Sequence, residues 1–148
     1  MSRRCARIPL TWLVLALTMY RHETRIRLAD TDAAGVLYFA SLLRIAHEAY
    51  EAWFESAGLP ISTVIRDRTY ALPIVHADAD FKLPLVLGDR VVVTLTVSEL
   101  GERSYAVSYG FEGPHGVAGS ARTVHVAIDR TEKRSIPLPA EVRQILSA

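Results

Sequence analysis

The chain has 148 residues, half of them hydrophobic and 22% charged, with a formal net charge of +1. That is one domain's length with enough apolar side chain for a core, which excludes a disordered chain, and a charge this near neutral leaves no footprint for a nucleic acid. A single cysteine, Cys5, excludes an internal disulfide and a cysteine zinc site and fits a reducing, cytoplasmic setting.

Residues 1–18 read differently from the rest. Arg3, Arg4 and Arg7 precede an apolar run over residues 8–19, the order of a secretory signal. The run is shorter than the ~20 apolar residues that span a bilayer, so no stable span is expected. Ala16-Leu17-Thr18 is a poor cleavage site. Translation starting at Met19 is favoured over a targeting segment, with an apolar surface helix as the third reading. A chain from Met19 would lose three arginines and Cys5, taking its charge from +1 to −2. The expected organisation is an N-terminal extension over 1–18 and a domain over 19–148.

Residues 21–28 alternate through Thr24, Ile26 and Leu28, as a short strand does. Residues 30–36 are turn-like. Over residues 40–57, Leu42, Ile45, Ala46, Ala49 and Trp53, with Leu43, Tyr50 and Phe54 beside them, recur at helical spacing. Gly58 and Pro60 stop this long amphipathic helix. A loop is expected through Asp67. Strands are expected over 70–83, 89–100, 104–111 and 117–128, with turns at Gly88-Asp89, Gly101-Glu102 and Gly113-Pro114. Short connections imply an antiparallel meander. After Pro137 and Pro139, residues 140–146 close the chain as a helix. One strand, one long helix and four strands define an α+β domain, a five-stranded antiparallel sheet packed on one helix. The other sheet face and the edges call for an oligomer to cover them.

The run Asp30-Thr31-Asp32-Ala33-Ala34-Gly35-Val36-Leu37-Tyr38-Phe39 puts two carboxylates and a glycine on a turn that ends at the helix N-terminus. Unpaired N–H groups and the positive pole of the helix face such a turn. A carboxylate there can attack a carbonyl whose oxygen those groups polarise, which is acyl chemistry. Taken alone, either aspartate is also an ordinary turn or cap residue. His47 and Glu48 begin a zinc-protease-like helix, but position 51 is Glu where that motif needs His, so no metal is expected. His47 is read equally as a contact for a substrate ring hydroxyl and as a helix histidine bonded to a neighbour. Glu48 and Glu51 read as a solvated face, with Glu48 the one that could line the site. His76 lies on a strand beside candidate pocket residues and reads first as a core or supporting position.

The order of elements and the Asp30 to Phe39 run resemble the hotdog-fold acyl-CoA thioesterases of the 4-hydroxybenzoyl-CoA thioesterase type. His47-Glu48-Ala49-Tyr50-Glu51, then Ala71-Leu72-Pro73-Ile74-Val75-His76-Ala77 with Asp80-Phe81, then Gly88-Asp89-Arg90, and Thr123 with His125-Val126, are similar to one branch, the 1,4-dihydroxy-2-naphthoyl-CoA hydrolases of phylloquinone and menaquinone synthesis. The resemblance runs over residues 20–139. It implies a hotdog fold, hydrolysis of that thioester without metal or redox cofactor, and a site at a dimer interface in a dimer of dimers. It implies Asp32 as the catalytic carboxylate, either nucleophile or general base for water. Asp30 then holds the turn, Gly35 allows its backbone path, and the Phe39 N–H is the candidate oxyanion donor. Some relatives of this fold carry histidine where Phe39 stands, so a histidine-assisted variant is disfavoured. Arg103, Arg122, Arg130, Lys133 and Arg134 are candidates for the phosphates of coenzyme A, none singled out. Two other readings stay open: a broader aromatic or fatty acyl-CoA thioesterase of the same fold, and a non-catalytic acyl-CoA-binding protein. A third is a membrane-attached protein using residues 8–19.

Overall fold

The structure, a computed structural model, describes residues 19–148; the expectations for residues 1–18 lie outside the described residues. Strand β1 is Met19–Arg25, helix α1 Phe39–Ser56, helix α2 Ile61–Asp67, strand β2 Tyr70–Ala71 and strand β3 Ile74–Phe81. Strands β4 (Arg90–Leu100), β5 (Ser104–Gly113) and β6 (Gly116–Val126) follow, then β7 (Ile128–Asp129) and helix α3 (Ala140–Leu146). The main sheet is five-stranded in the order β1-β4-β5-β6-β3, antiparallel throughout.

The expected meander is β4-β5-β6. Strand β4 buries Val91, Val93, Leu95 and Val97, and β5 buries Tyr105, Val107, Tyr109 and Phe111, the period-two alternation of a half-buried strand. Onto this face α1 lays Leu42, Ile45, Ala46, Ala49, Tyr50, Trp53 and Phe54, all buried. Fully burying each of the larger side chains contributes about 1.5–3 kcal/mol. Ala46 and Ala49 let the helix backbone approach the sheet closely.

Three local expectations change. The first strand ends at Arg25, and Leu28–Asp30 forms a single 3-10 turn instead. The Asp30 carboxylate accepts the Arg27 N–H at 2.8 Å and folds the chain back there. The expected loop before Asp67 contains α2, which starts after Pro60 and buries Val64; proline preset at that boundary favours helix. The expected strand over 70–83 breaks at Leu72-Pro73. Its first part, β2, pairs with β7 in a separate two-stranded ribbon, while β3 joins the main sheet beside β6. Pro73 has no N–H for a ladder, and a register shift follows between Ile74 and His76.

Gly119 lies where β6 meets both β3 and β5. A Cβ there would sit 2.6 Å from the Asp80 carbonyl oxygen, so the strands would have to part. Gly119→Ala is expected to lower the unfolding free energy by about 2 kcal/mol, read from a denaturant melt.

Among the described residues the outer edge of β3 has no partner strand, and β3 carries exposed Ile74, Val75 and Phe81. The opposite edge, β1, exposes Arg21, Glu23 and Arg25, charges that discourage edge pairing. Among the described residues no helix is long and apolar enough to cross a membrane.

Candidate active site

The segment between β1 and α1 is built by short-range hydrogen bonds. The Asp32 N–H donates to the Val36 carbonyl at 2.9 Å, and the Gly35 N–H donates to the Asp32 carbonyl at 3.0 Å. Asp32 Oδ1 accepts the Ala34 N–H at 2.8 Å and the Val36 N–H at 3.3 Å. This is an aspartate turn, and its return needs Gly35 at a φ of 76°, in the left-handed region glycine tolerates. Residues 36 and 37 then bridge outward: Val36 pairs with Val86, and the Leu37 N–H donates to the Leu85 carbonyl at 2.8 Å.

The two carboxylates have different surroundings. Asp30 is buried at 2% exposure with both oxygens engaged. Its Oδ2 accepts the Arg27 N–H, and its Oδ1 accepts from Arg44 Nη2 at 2.5 Å. Asp32 is exposed, and its Oδ2 has no protein partner among the described residues. Only Asp32 therefore has a lone carboxylate oxygen available to a substrate or a water.

Helix α1 begins at Phe39, after an extended Tyr38 whose side chain makes no cap bond. The Tyr38 carbonyl accepts the Ser41 N–H at 2.9 Å, and no described residue accepts from the Phe39 N–H. A free donor at the positive helix pole thus follows the acidic turn. Beside them lies an apolar cleft of about 190 Å³ lined by Val36, Leu37, Leu42, Phe81, Leu83 and Leu85, with Lys82 among the lining.

The remaining sequence candidates are scattered. His47 is exposed on α1, its ring 5.9 Å from that of Tyr50. Glu48 is half-buried and bonded to Arg44 at 2.9 Å, with His22 at 3.6 Å and Arg27 at 3.7 Å. It is thereby joined to Asp30 through Arg44. His76 is exposed on β3 and bonds Asp78 at 3.0 Å. Neither His47 nor His76 contacts Asp32. Of the basic residues, Arg103 donates to the Ser135 carbonyl at 2.8 Å, which seats it against the turn carrying Lys133 and Arg134. Arg122 pairs with Glu99 at 2.7 Å, and Arg130 donates to the Ile65 carbonyl at 2.5 Å. Among the described residues no group of three or more His, Cys, Asp or Glu side chains could hold a metal ion.

Two features escaped the sequence reading. Arg44 is one; its i,i+4 spacing to Glu48 was the available signal. The other is the buried cluster that Thr123 and His125 form under α1, where the His125 ring stacks with Tyr50 and Tyr105, each 4.8 Å away, and the two tyrosine hydroxyls lie 2.6 Å apart. His125 Nε2 lies 2.9 Å from Thr123 Oγ1, which is 3.1 Å from the Tyr109 hydroxyl. Nδ1 faces the Leu72 carbonyl at 3.3 Å. Burial pushes the Tyr109 hydroxyl up to about 12.

A five-stranded antiparallel sheet around one long helix, with the acidic turn at that helix's N-terminus, is the hotdog architecture. The model of the thioesterase-like superfamily matches residues 26–146. The chain is 44% identical to a 1,4-dihydroxy-2-naphthoyl-CoA hydrolase of Rippkaea orientalis, over 88% of this chain and 96% of the relative. A hydrolase of the same name from Microcystis aeruginosa is 42% identical, over 84% and 91%. The crystal structure of a 1,4-dihydroxy-2-naphthoyl-CoA thioesterase from Synechocystis aligns with a TM-score of 0.82 at 35% identity, covering 86% of this chain and 95% of that one. The chain belongs to the thioesterase-like superfamily.

Proposed function

We propose that this protein hydrolyses 1,4-dihydroxy-2-naphthoyl-CoA to free coenzyme A and 1,4-dihydroxy-2-naphthoate. The observation that carries the reaction is that, among the described residues, Asp32 Oδ2 has no partner, on a turn that leads to the Phe39 N–H at the start of α1, which is likewise unpartnered. The substrate rests on the relatives, which carry that hydrolase name at 42–44% identity. The product would feed phylloquinone or menaquinone synthesis.

Asp32 supplies the carboxylate and the Phe39 N–H the oxyanion donor. In one route Asp32 takes a proton from water, and the hydroxide attacks the thioester carbon. In the other the carboxylate attacks directly, and water then cleaves the resulting anhydride. In both, the carbonyl oxygen becomes negative and accepts from the Phe39 N–H, the C–S bond breaks, and the thiolate of coenzyme A takes up a proton. The chemistry calls for no metal or redox cofactor, because carboxylate and helix pole together supply attack and charge stabilisation. Asp30 and Gly35 hold the turn, and His47, Glu48 and His76 are proposed to border the aromatic pocket.

A second copy is proposed to complete the site across the open β3 edge, with two such dimers forming a tetramer. Exposed Ile74, Val75 and Phe81 on that edge support this. The turn that gathers Arg103, Lys133 and Arg134 is the proposed seat for the phosphates of coenzyme A. Residues 1–18 are proposed as an extension of the domain over 19–148, and the enzyme as cytoplasmic.

Thiol release from a panel of acyl-CoAs tests the assignment. The naphthoyl thioester is expected to give a kcat/KM at least about tenfold above benzoyl-CoA and long-chain acyl-CoAs. Turnover of long-chain substrates alone overturns the naphthoate reading, and tight binding without turnover overturns catalysis.

A further inference from the structure

We propose that Arg44 is a positioning residue for the thioesterase reaction: it ties the acidic turn to the helix that supplies the oxyanion donor. The inference rests on the functional reading above and adds a part to it. Arg44 stands little more than one turn into α1 from Phe39. Its Nη2 reaches back to Asp30 Oδ1 at 2.5 Å, and its Nη1 donates to Glu48 Oε2 at 2.9 Å on the next turn. Glu48 thus braces the guanidinium from the helix side while Asp30 takes its other end.

Asp30 is where the turn is anchored. Its carbonyl accepts the N–H of Tyr38, the residue capping α1, at 2.8 Å. Its carboxylate accepts the Arg27 N–H at the turn's entry. Asp32 follows two residues later, and the hydrogen bonds its side chain makes are local to its own turn. Among the described residues, Arg44 and Glu48 are the charged side chains of α1 that reach this segment, Arg44 at Asp30 and Glu48 at Arg27, and Arg44 makes the shorter contact. With the Tyr38 N–H bond to the Asp30 carbonyl, Arg44 thereby helps set how far the Asp32 carboxylate stands from the Phe39 N–H. Displacing a reacting group by about 1 Å can cost about 100-fold in rate without weakening substrate binding.

The charges around this pair are few. Asp30 meets Arg44 from α1, and among the described residues no other ionised side chain lies within ion-pair distance of it. Arg44 meets Asp30 and Glu48; Glu48 also meets His22 of β1 at 3.6 Å and Arg27 at 3.7 Å. Without Arg44, the Asp30 carboxylate stays buried with no counter-charge among the described residues.

The test measures thiol release by Arg44→Met in the full chain, with parent and Asp32→Asn alongside. Arg44→Met is expected to lower kcat by at least about tenfold with KM changed less than about threefold. Arg44→Lys, which keeps a charge opposite Asp30, should recover part of that kcat, and adding Asp30→Asn to Arg44→Met should lower it no further. A structural role alone would lower the yield of folded enzyme without this selective loss of kcat. A folded Arg44→Met with parental kcat overturns the proposal, as does a further loss of kcat when Asp30→Asn is added to it. If Arg44→Met does not fold, Asp30→Asn carries the test, since it breaks the ion pair without leaving a buried charge. Its kcat should then fall at least about threefold at unchanged KM, and an unchanged kcat overturns the proposal. A parent without thioesterase activity is the separate outcome that removes the functional reading itself.

Discussion

Asp32→Asn is expected to lower kcat by at least about 100-fold, some 2.7 kcal/mol of transition-state stabilisation, with KM and melting temperature close to the parent's. Asparagine matches aspartate in shape, and its amide oxygen can still accept the Ala34 and Val36 N–H groups that Oδ1 accepts now, so the turn stays folded. What changes is the other position. The free oxygen becomes an NH₂, which can neither attack a thioester nor take a proton from water. Loss of rate without loss of fold is therefore the signature of a catalytic carboxylate, measured by thiol release together with a thermal melt. The same change at Asp30 removes the ion pair between buried Asp30 and the exposed Arg44 and should act through the position of the turn instead. Full activity in Asp32→Asn refutes the mechanism.

Much of the scaffold was legible because its signals are local and repeated. The eight apolar side chains at helical spacing announced α1, and Val91, Val93, Leu95 and Val97 announced β4. The missed parts depend on partners distant in sequence. Residues 70–83 alternate well enough to read as one strand, but Tyr70 and Ala71 pair with β7 while β3 pairs with β6. Pro73 marks the break without saying which strand each side will join. Helix α2 spans only 7 residues, too short for periodicity to separate from a loop. At the site, the acidic turn and the helix pole were visible from spacing. The division of labour between the carboxylates was not: it came from family resemblance, and its physical basis is a guanidinium 14 residues beyond Asp30. The i,i+4 spacing to Glu48 marks Arg44 only as a helix pair; its contact with Asp30 depends on how the turn folds back onto α1.

Acidification from about pH 6.5 to pH 4 is expected to cost this protein about 3 kcal/mol of stability through His125 alone, a fall in melting temperature on the order of 10 °C. His125 is buried at 1% exposure. Burial is the main cause that pushes its imidazole down from 6.5 to about 4; nearby His47 acts in the same direction, and the Leu72 carbonyl opposes them. The hydrogen bonds explain why the neutral ring fits. The Leu72 carbonyl can only accept, so Nδ1 carries the proton and Nε2 accepts from the Thr123 hydroxyl, which in turn accepts from Tyr109. A second proton on Nε2 would face the Thr123 donor and force the chain of hydroxyls to reverse. Above about pH 6.5 both folded and unfolded chains hold the ring neutral, and the contribution is fully present. As pH falls, the unfolded chain binds the proton first, so stability drops until the folded ring also protonates near pH 4. Glu141, held below the usual carboxylate range by Arg68 and Tyr70, keeps its stabilisation down to the ordinary carboxylate value of 4.5 and loses it as pH falls further. His125→Gln should therefore be less stable than the parent at neutral pH, with the gap narrowing as pH falls toward about 4.5 in denaturant melts. A gap that stays constant with pH would mean that the buried ring is not the group being protonated.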